Sequence, residues 1–339
     1  MKAHADITGL SYVAMQGVML HEAKEHDLAV LKQAPDLLKI KSDYGAFGIQ
    51  DRGALGLRLE VEADTLGNLH VLRESLVAHI VHYLPDLADQ IAWSDQIDAG
   101  QTPPNFQFAE VLASQKISRD FLRLTLKLSK TEGFDNHAIH FRFVLPHPND
   151  PEPKWPVLAA NGSTRWPEGD KALHRPVYTV RRQGGDEIDV DIFLHVGGQT
   201  TAWAERVQKG ARVAMIGPGG GGVVTHKHLV LAGDETAFPA ISRILENQAQ
   251  HTKATVVMLS HTRARDYPLP IDSGTRVIWT DPKGFVASVR DSLDQSPQSF
   301  LWLAAGAPIV TTIRQIEMVK ALPKTQKHIA AYWAQKGSG

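Results

Sequence analysis

The chain has 339 residues, a length that suits two or three domains. Hydrophobic residues make up 43% and charged residues 22%, as in ordinary globular proteins, and a net charge of −1 leaves no basic excess to neutralise a nucleic-acid backbone. With no cysteine, disulfides, thiolate metal sites, iron–sulfur clusters and thiol nucleophiles are excluded, so any redox chemistry falls to a bound organic cofactor.

The start, Met1-Lys2-Ala3-His4-Ala5-Asp6, has no basic segment leading into an apolar one, so no signal peptide is expected. No apolar run approaches the roughly 20 residues of a membrane span, and a cytoplasmic location without membrane insertion is the expectation. The 16 histidines are scattered. Pairs such as His79/His82, His140/His147 and His226/His228 bring no third ligand at familiar spacing, so no metal site is expected.

A helix is predicted over Glu22 to Gln33. Leu55, Leu57, Leu59 and Val61 then alternate with Gly56, Arg58, Glu60 and Glu62, the pattern of a half-buried strand. Asp64 or Thr65 can cap a following helix whose Leu69, Leu72, Leu76 and Ile80 recur at helical spacing. Residues 1–95 therefore read as a small α+β domain. The polar stretch 96–105, with its Pro103-Pro104 pair, reads as a linker.

Residues 106–225 read as an antiparallel β-barrel of six strands: Phe106–Ser114, Leu122–Leu128, Ala138–Leu145, His174–Arg182, Ile188–Leu194 and Arg212–Ile216. A short helix is predicted at Thr201–Gln208. Pro218 and the run Gly219 to Gly222 mark a joint. Without a following Lys-Ser/Thr this run is no Walker motif, and it reads as a hinge or a phosphate cradle. Residues 226–339 change period. Apolar strands at Leu229–Ala232, Thr255–Ser260, Arg276–Thr280 and Ser299–Ala304 alternate with helices at Ala237–Gln250, Val286–Leu293 and Ile309–Leu322. That is the pattern of an α/β domain on a parallel sheet.

The segment RPVYTVR (Arg175 to Arg181) combines residue types that suit a flavin nucleotide. An aromatic ring stacks on a plane, a hydroxyl bonds its edge, and arginines pair with pyrophosphate. It equally fits an amphipathic strand with exposed basic residues. Downstream, IFLH ends a strand at His195, and Gly197-Gly198-Gln199-Thr200-Thr201-Ala202-Trp203 enters a helix. Thr201 suits a phosphate at a helix N-terminus and also a plain N-cap.

In order and spacing, RPVYTVR, IFLH, GQTTAWA and LVLAGDETAFPA resemble the motifs of siderophore-interacting proteins, over about residues 105–337. The resemblance implies a ferredoxin-reductase-like pairing of an FAD-binding barrel with an NAD(P)H-binding α/β domain. It also implies reduction of iron(III) in a ferric siderophore or other ferric chelate by NADPH or NADH through FAD. Residue by residue, it places Arg175, Val177, Tyr178, Thr179 and Arg181 on FAD, with the two arginines on the ribityl-phosphate side. His195, Gly197, Thr200, Thr201 and Trp203 complete that set. Asp234, Glu235, Thr236 and Gly306 would line the nicotinamide side, although acidic residues at a helix start also serve the helix dipole alone. Arg263 and Arg265, after the second strand of the α/β domain, would read a 2′-phosphate or be a solvated loop. No catalytic residue beyond the flavin is implied.

Two departures stand out. Gly306 replaces the family's acidic residue, and Ala334 and Gln335 replace tail arginines. They leave open a general flavin-dependent NAD(P)H oxidoreductase, serving flavin, ferredoxin or ferric chelates, and a non-catalytic siderophore-binding module. The first region resembles a small domain of unknown function fused to some of these reductases.

Overall fold

A computed structural model describes residues 1–26 and 28–334. They form two compact units, Met1–Gln107 with Leu145–His174, and Phe108–Val144 with the chain from Arg175 onward. The structure thus groups residues differently from the division read along the sequence.

The first unit opens with β1 (Lys2–Ile7), α1 (Tyr12–Glu25), β2 (Ala29–Ala34), β3 (Leu37–Ser42), β4 (Gly45–Asp51), β5 (Leu57–Glu62) and α2 (Leu66–Tyr83). The strands form an antiparallel sheet in the order β1-β5-β4-β3-β2. Alternate residues such as Ile7, Ile40, Ile49 and Leu59 face Met15 and Met19 of α1 and Leu69, Leu72 and Ile80 of α2 in one core. The opposite parity is charged, and Arg58 grips Asp6 with two 2.8 Å bonds. Thr65 is the cap of α2, its hydroxyl accepting the Asn68 N–H at 3.1 Å. The helix predicted at 22–33 lies earlier. Tyr12, Met15, Met19 and Ala23 supply its buried stripe, and the exposed Ala29–Ala34 is an edge strand. The hairpin β3–β4 was not foreseen.

The barrel contains β6 (Phe106–Ser118), β7 (Phe121–Lys127) and β8 (His140–Val144). The chain then makes a hairpin in the first unit, β9 (Val157–Leu158) with β10 (Thr164–Arg165). Trp93 Nε1 donates to the Asn161 carbonyl at 2.9 Å. Leu158 N donates to Gln101 O at 2.8 Å, so the stretch read as a linker is bonded into that unit. The barrel resumes with β11 (Val177–Thr179), β12 (Arg182–Gly184), β13 (Glu187–Phe193), α3 (Gln199–Ala204) and β14 (Arg212–Gly219). Strand order is β11-β8-β14-β6-β7-β13-β12. Only Val180 and Arg181 separate the two ends of that order. Val180 N donates to Ile139 O and Arg181 N to Asp189 O, both at 2.8 Å, so one bent strand closes six staves.

The glycine run is no free hinge. Ile139 N donates to Gly221 O at 3.3 Å and Val223 N to Asn136 O at 2.8 Å. A Cβ on Gly222 would stand 2.3 Å from Asn136 O, so the run is glycine because it lies against the chain entering β8.

The α/β part comprises β15 (His228–Gly233), α4 (Phe238–Glu246), β16 (Lys253–Leu259), β17 (Thr275–Thr280), α5 (Phe285–Gln295), β18 (Phe300–Gly306), α6 (Ala307–Arg314), α7 (Glu317–Ala321) and β19 (Lys327–Trp333). Its sheet is parallel, in the order β17-β16-β15-β18-β19. Leu229 and Leu231 pack with α4, while Val230 and Ala232 pack with α5 and α6. Burial of both faces explains the unbroken apolar run that marks β15 in the sequence. Strand β19 was not foreseen, and the single helix predicted at 309–322 is two.

Helix α4 is buried from Phe238 through Ile244 because barrel residues cover its other side. Phe238 lies 5.8 Å from Phe121 of β7 and 5.6 Å from Tyr267. Tyr267 donates to Asp191 Oδ2 at 2.7 Å, and Arg123 binds both Asp191 oxygens at 2.6 and 2.8 Å. Breaking a buried pair strands a charge, so Asp191→Ala should destabilise the protein by about 3–5 kcal/mol, read as a lower urea midpoint.

Candidate functional site

The barrel's closing strand builds one wall of the candidate site. Strand β11 pairs with β8 so that Val177, Tyr178 and Thr179 stand opposite Arg142, Phe141 and His140. Thr179 is buried, Tyr178 partly so, and Val177 and Arg175 are exposed. The Tyr178 ring meets Phe143 edge-on at 5.3 Å, and Phe143 lies 5.2 Å from Trp203 of α3. Tyr178 also shares a hydrogen bond with Thr200, and burial pushes its phenol up to about 12. The fold therefore brings together Tyr178, Thr200 and Trp203 across 25 residues of chain, the difference between positions 178 and 203.

The turn into α3 is a tight loop. Thr201 Oγ1 accepts the His195 N–H at 3.2 Å and donates to Phe193 O at 3.4 Å. Gly197 has φ +80°, a left-handed backbone that glycine permits. A Cβ on Gly198 would lie 2.7 Å from the His195 ring and 2.9 Å from Thr201 Oγ1, so both side chains pack directly on bare backbone there. His195 is exposed and stacks on Phe193 at 5.8 Å.

Arg181 is engaged within the protein: its guanidinium is buried and bound to Glu246 of α4 at 2.5 and 2.7 Å. Beside it, Arg243 Nη1 donates to the Val180 carbonyl at 2.5 Å and Nη2 to the Asp135 carbonyl at 2.7 Å. Two residues of α4 thus hold the bend that closes the barrel.

On the dinucleotide side, the acidic residues are engaged within the protein. Asp234 Oδ1 accepts Thr236 N and Oγ1 at 3.0 and 2.5 Å. Its Oδ2 accepts Gly306 N and Trp333 Nε1, each at 2.8 Å. Burial pushes the Asp234 carboxyl up, against these four bonds. Glu235 accepts the His261 N–H at 2.5 Å and faces its Nδ1 at 2.8 Å. The two carboxylates tie β15 to β18, β19 and the end of β16. A Cβ on Gly306 would stand 2.5 Å from the Trp333 ring, so the indole packs on bare backbone there. Arg263 and Arg265 are exposed on the loop after β16. Thr262 donates to Asp120, Arg119 N donates to Asp266 Oδ2 at 2.8 Å, and Tyr267 binds Asp191, so the barrel pins this loop.

Sequence reasoning missed His140, Arg243, Glu246, His261, Tyr267 and Trp333, whose partners are far away along the chain. His140 sits between Thr179 Oγ1, 3.3 Å from its Nδ1, and the Tyr332 hydroxyl, 3.2 Å from its Nε2. Burial, helped by His328, lowers His140 from 6.5 to about 4. Below pH 6.5 the unfolded chain takes up a proton that the folded ring refuses, so stability falls as pH drops from 6.5 towards 4. The loss reaches about 3 kcal/mol. Urea titrations across that window should show a shallower fall for His140→Asn.

Comparison with known proteins matches this architecture. Residues 110–222 match the model of the siderophore-interacting FAD-binding domain, and residues 226–336 that of siderophore-interacting protein. The NADPH-dependent ferric-chelate reductase of Escherichia coli (strain K12) is 26% identical over 244 residues, covering 68% of this chain and 94% of the relative. The ferric vibriobactin reductase ViuB of Vibrio cholerae is 34% identical over 158 residues, 42% of this chain and 54% of its own. In fold, the chain resembles a siderophore utilization protein from T. fusca, with TM-score 0.59 and 24% identity over 70% of this chain and 95% of that one. It also resembles the ferredoxin-NADP+ reductase of Plasmodium falciparum, with TM-score 0.50 and 11% identity over 70% and 100% of the two chains. A barrel closed by RPVYTVR and a parallel sheet carrying AGDETAFPA, both matched along their lengths, place this chain in the siderophore-interacting protein family.

Proposed function

We propose that the chain is an FAD-dependent NAD(P)H:ferric-siderophore oxidoreductase, which reduces iron(III) in a siderophore complex and so releases iron(II). The observation that carries the reading is the cradle in which Tyr178, Thr200 and Trp203 converge beside the Gly197–Gly198 turn. It fits a flavin dinucleotide on two counts. An aromatic wall, Tyr178 against Phe143 and Phe143 against Trp203, suits a flat ring system. The left-handed Gly197, and the packing of His195 and Thr201 on the bare backbone of Gly198, hold the turn into α3 in a tight loop whose backbone N–H groups suit an anion.

In this reading Tyr178 and Thr179 lie on the isoalloxazine side, and Arg175 and the Gly197–Thr201 turn on the phosphate side. Arg181 acts through the strand it holds. The chemistry supplied by FAD when bound is acceptance of a hydride from NAD(P)H and delivery of single electrons to the ferric chelate. The α4 clamp keeps the cradle against the α/β sheet, at whose strand ends dinucleotides bind in such folds. Oxygen chelators hold iron(III) more firmly than iron(II), so reduction loosens the substrate without any iron ligand from the protein. The names of the relatives, ferric-chelate and ferric vibriobactin reductases, support this substrate class. Among the described residues no helix is long and apolar enough to cross a membrane. A cytoplasmic place, where NAD(P)H is supplied, completes the proposal.

The test is an absorption spectrum of FAD-loaded protein under anaerobic conditions. The flavin colour should bleach with NADPH or NADH and return on adding a ferric siderophore. Colour restored equally by flavin, ferredoxin and simple ferric chelates would indicate a general oxidoreductase, and no bleaching a binding module. Tyr178→Ala should weaken FAD binding about tenfold, from lost ring contact.

A further inference from the structure

We propose that His261 is a third cationic reader of the dinucleotide, engaging the 2′-phosphate of NADPH beside Arg263 and Arg265. The proposal rests on the reading of the 260–267 loop as the phosphate side of the dinucleotide site.

Its first support is position. His261 follows Ser260 just past the end of β16, the strand next to β15 in the sheet. In a nucleotide-binding sheet of this kind, the end of the second strand reads the adenosine ribose and its 2′ substituent. The arginines are two and four residues further on the same exposed loop.

The second support is the way the ring is held. Glu235 is 3% exposed, and both of its oxygens go to His261, one to the backbone N–H and one to Nδ1. The ring, 42% exposed, thus keeps its Nδ1 proton on the carboxylate, and its Nε2 makes no hydrogen bond among the described residues. A carboxylate buried that deeply is costly without a counter-charge, and the imidazole supplies it. The charged groups acting on His261 are Glu235 and Asp234, which raise its affinity for the proton, while its partial burial opposes them. Protonated, the ring offers an outward anion contact from Nε2.

The third support is preorganisation. Arg263 has a left-handed backbone, φ +61°, and its N–H closes a turn onto Ser260 O at 3.4 Å. The far end is pinned by Asp120, Arg119 and Asp191 of the barrel. Ordering of the loop therefore precedes binding, and little of the phosphate's interaction energy is spent on it.

Two titrations then oppose each other. A phosphate monoester gains its second charge near pH ~6, whereas His261 loses its charge as pH rises through its own raised pKa. Affinity for a 2′-phosphate should rise and then decline with pH.

The experiment is isothermal titration of the FAD-loaded full chain with adenosine 2′,5′-bisphosphate and with 5′-AMP, from about pH 6 to about 8.5. His261→Gln keeps a donor for Glu235 and removes the charge. It should weaken the bisphosphate about tenfold at the acidic end, leave 5′-AMP within about twofold, and abolish the decline at higher pH. Unchanged bisphosphate binding in His261→Gln, with weakened binding in an Arg263→Ala/Arg265→Ala variant, would overturn the role of His261 and leave the loop reading standing. Unchanged binding in both variants would remove the loop reading as well. Equal weakening of both ligands by His261→Gln would mean a distorted loop and no phosphate contact, which also overturns the proposal.

Discussion

The structure around the site depends on two buried guanidinium groups at one bend of chain. Val180 and Arg181 join β11 to β12 and so close the barrel. Arg243 of α4 donates to the carbonyl of the first, and Glu246 of α4 binds the side chain of the second. Burial lowers the pKa of Arg243, the mark of a cation that pays a desolvation cost for its position. Carbonyl oxygens and the neighbouring Asp135 offset part of that cost. A helix of the α/β part therefore sets the strand that carries Tyr178 and Thr179.

The same principle holds along the rest of this contact. Phe121, Phe238 and Tyr267 exclude water, and within that dry layer Asp191 binds Arg123 and Tyr267. Polar groups in a low-dielectric layer are strongly directional, because each unmade bond is expensive. They fix the register between the barrel and the loop that carries Arg263 and Arg265. Electron transfer between two bound molecules needs fixed separation, and a bonded layer of this kind provides it.

Much of the architecture was legible in the sequence because its pattern is local. Leu122, Leu124 and Leu126 alternate and form a barrel strand, and Leu229 to Ala232 run unbroken and form a strand buried on both faces. Tyr178, Thr200 and Trp203 came from motif order, and the fold does bring them together. The contacts that escaped sequence reasoning share a cause. Asp191 sits on the polar parity of β13 and looks solvated, but Tyr267, 76 residues later, buries it. Nothing around Arg181 announces that Glu246, 65 residues on, binds its guanidinium. Nor does the run at Asp234 and Glu235 announce their bonds to Trp333, Gly306 and His261. Charge pairing across such distances leaves no periodic trace. Gly306 is a further case: Trp333, 27 residues on, packs against it so closely that a Cβ would stand 2.5 Å from the indole.

The central claim is that the α4 clamp shapes the flavin cradle, and FAD titration of Arg243→Met tests it most directly. Methionine keeps much of the apolar stem while removing the bond to the Val180 carbonyl of the closing strand and the bond to the Asp135 carbonyl ahead of β8. In protein whose circular dichroism matches the parent, FAD affinity should drop at least about tenfold, the loss of one charge-assisted contact. Parental FAD affinity in that variant would contradict the account.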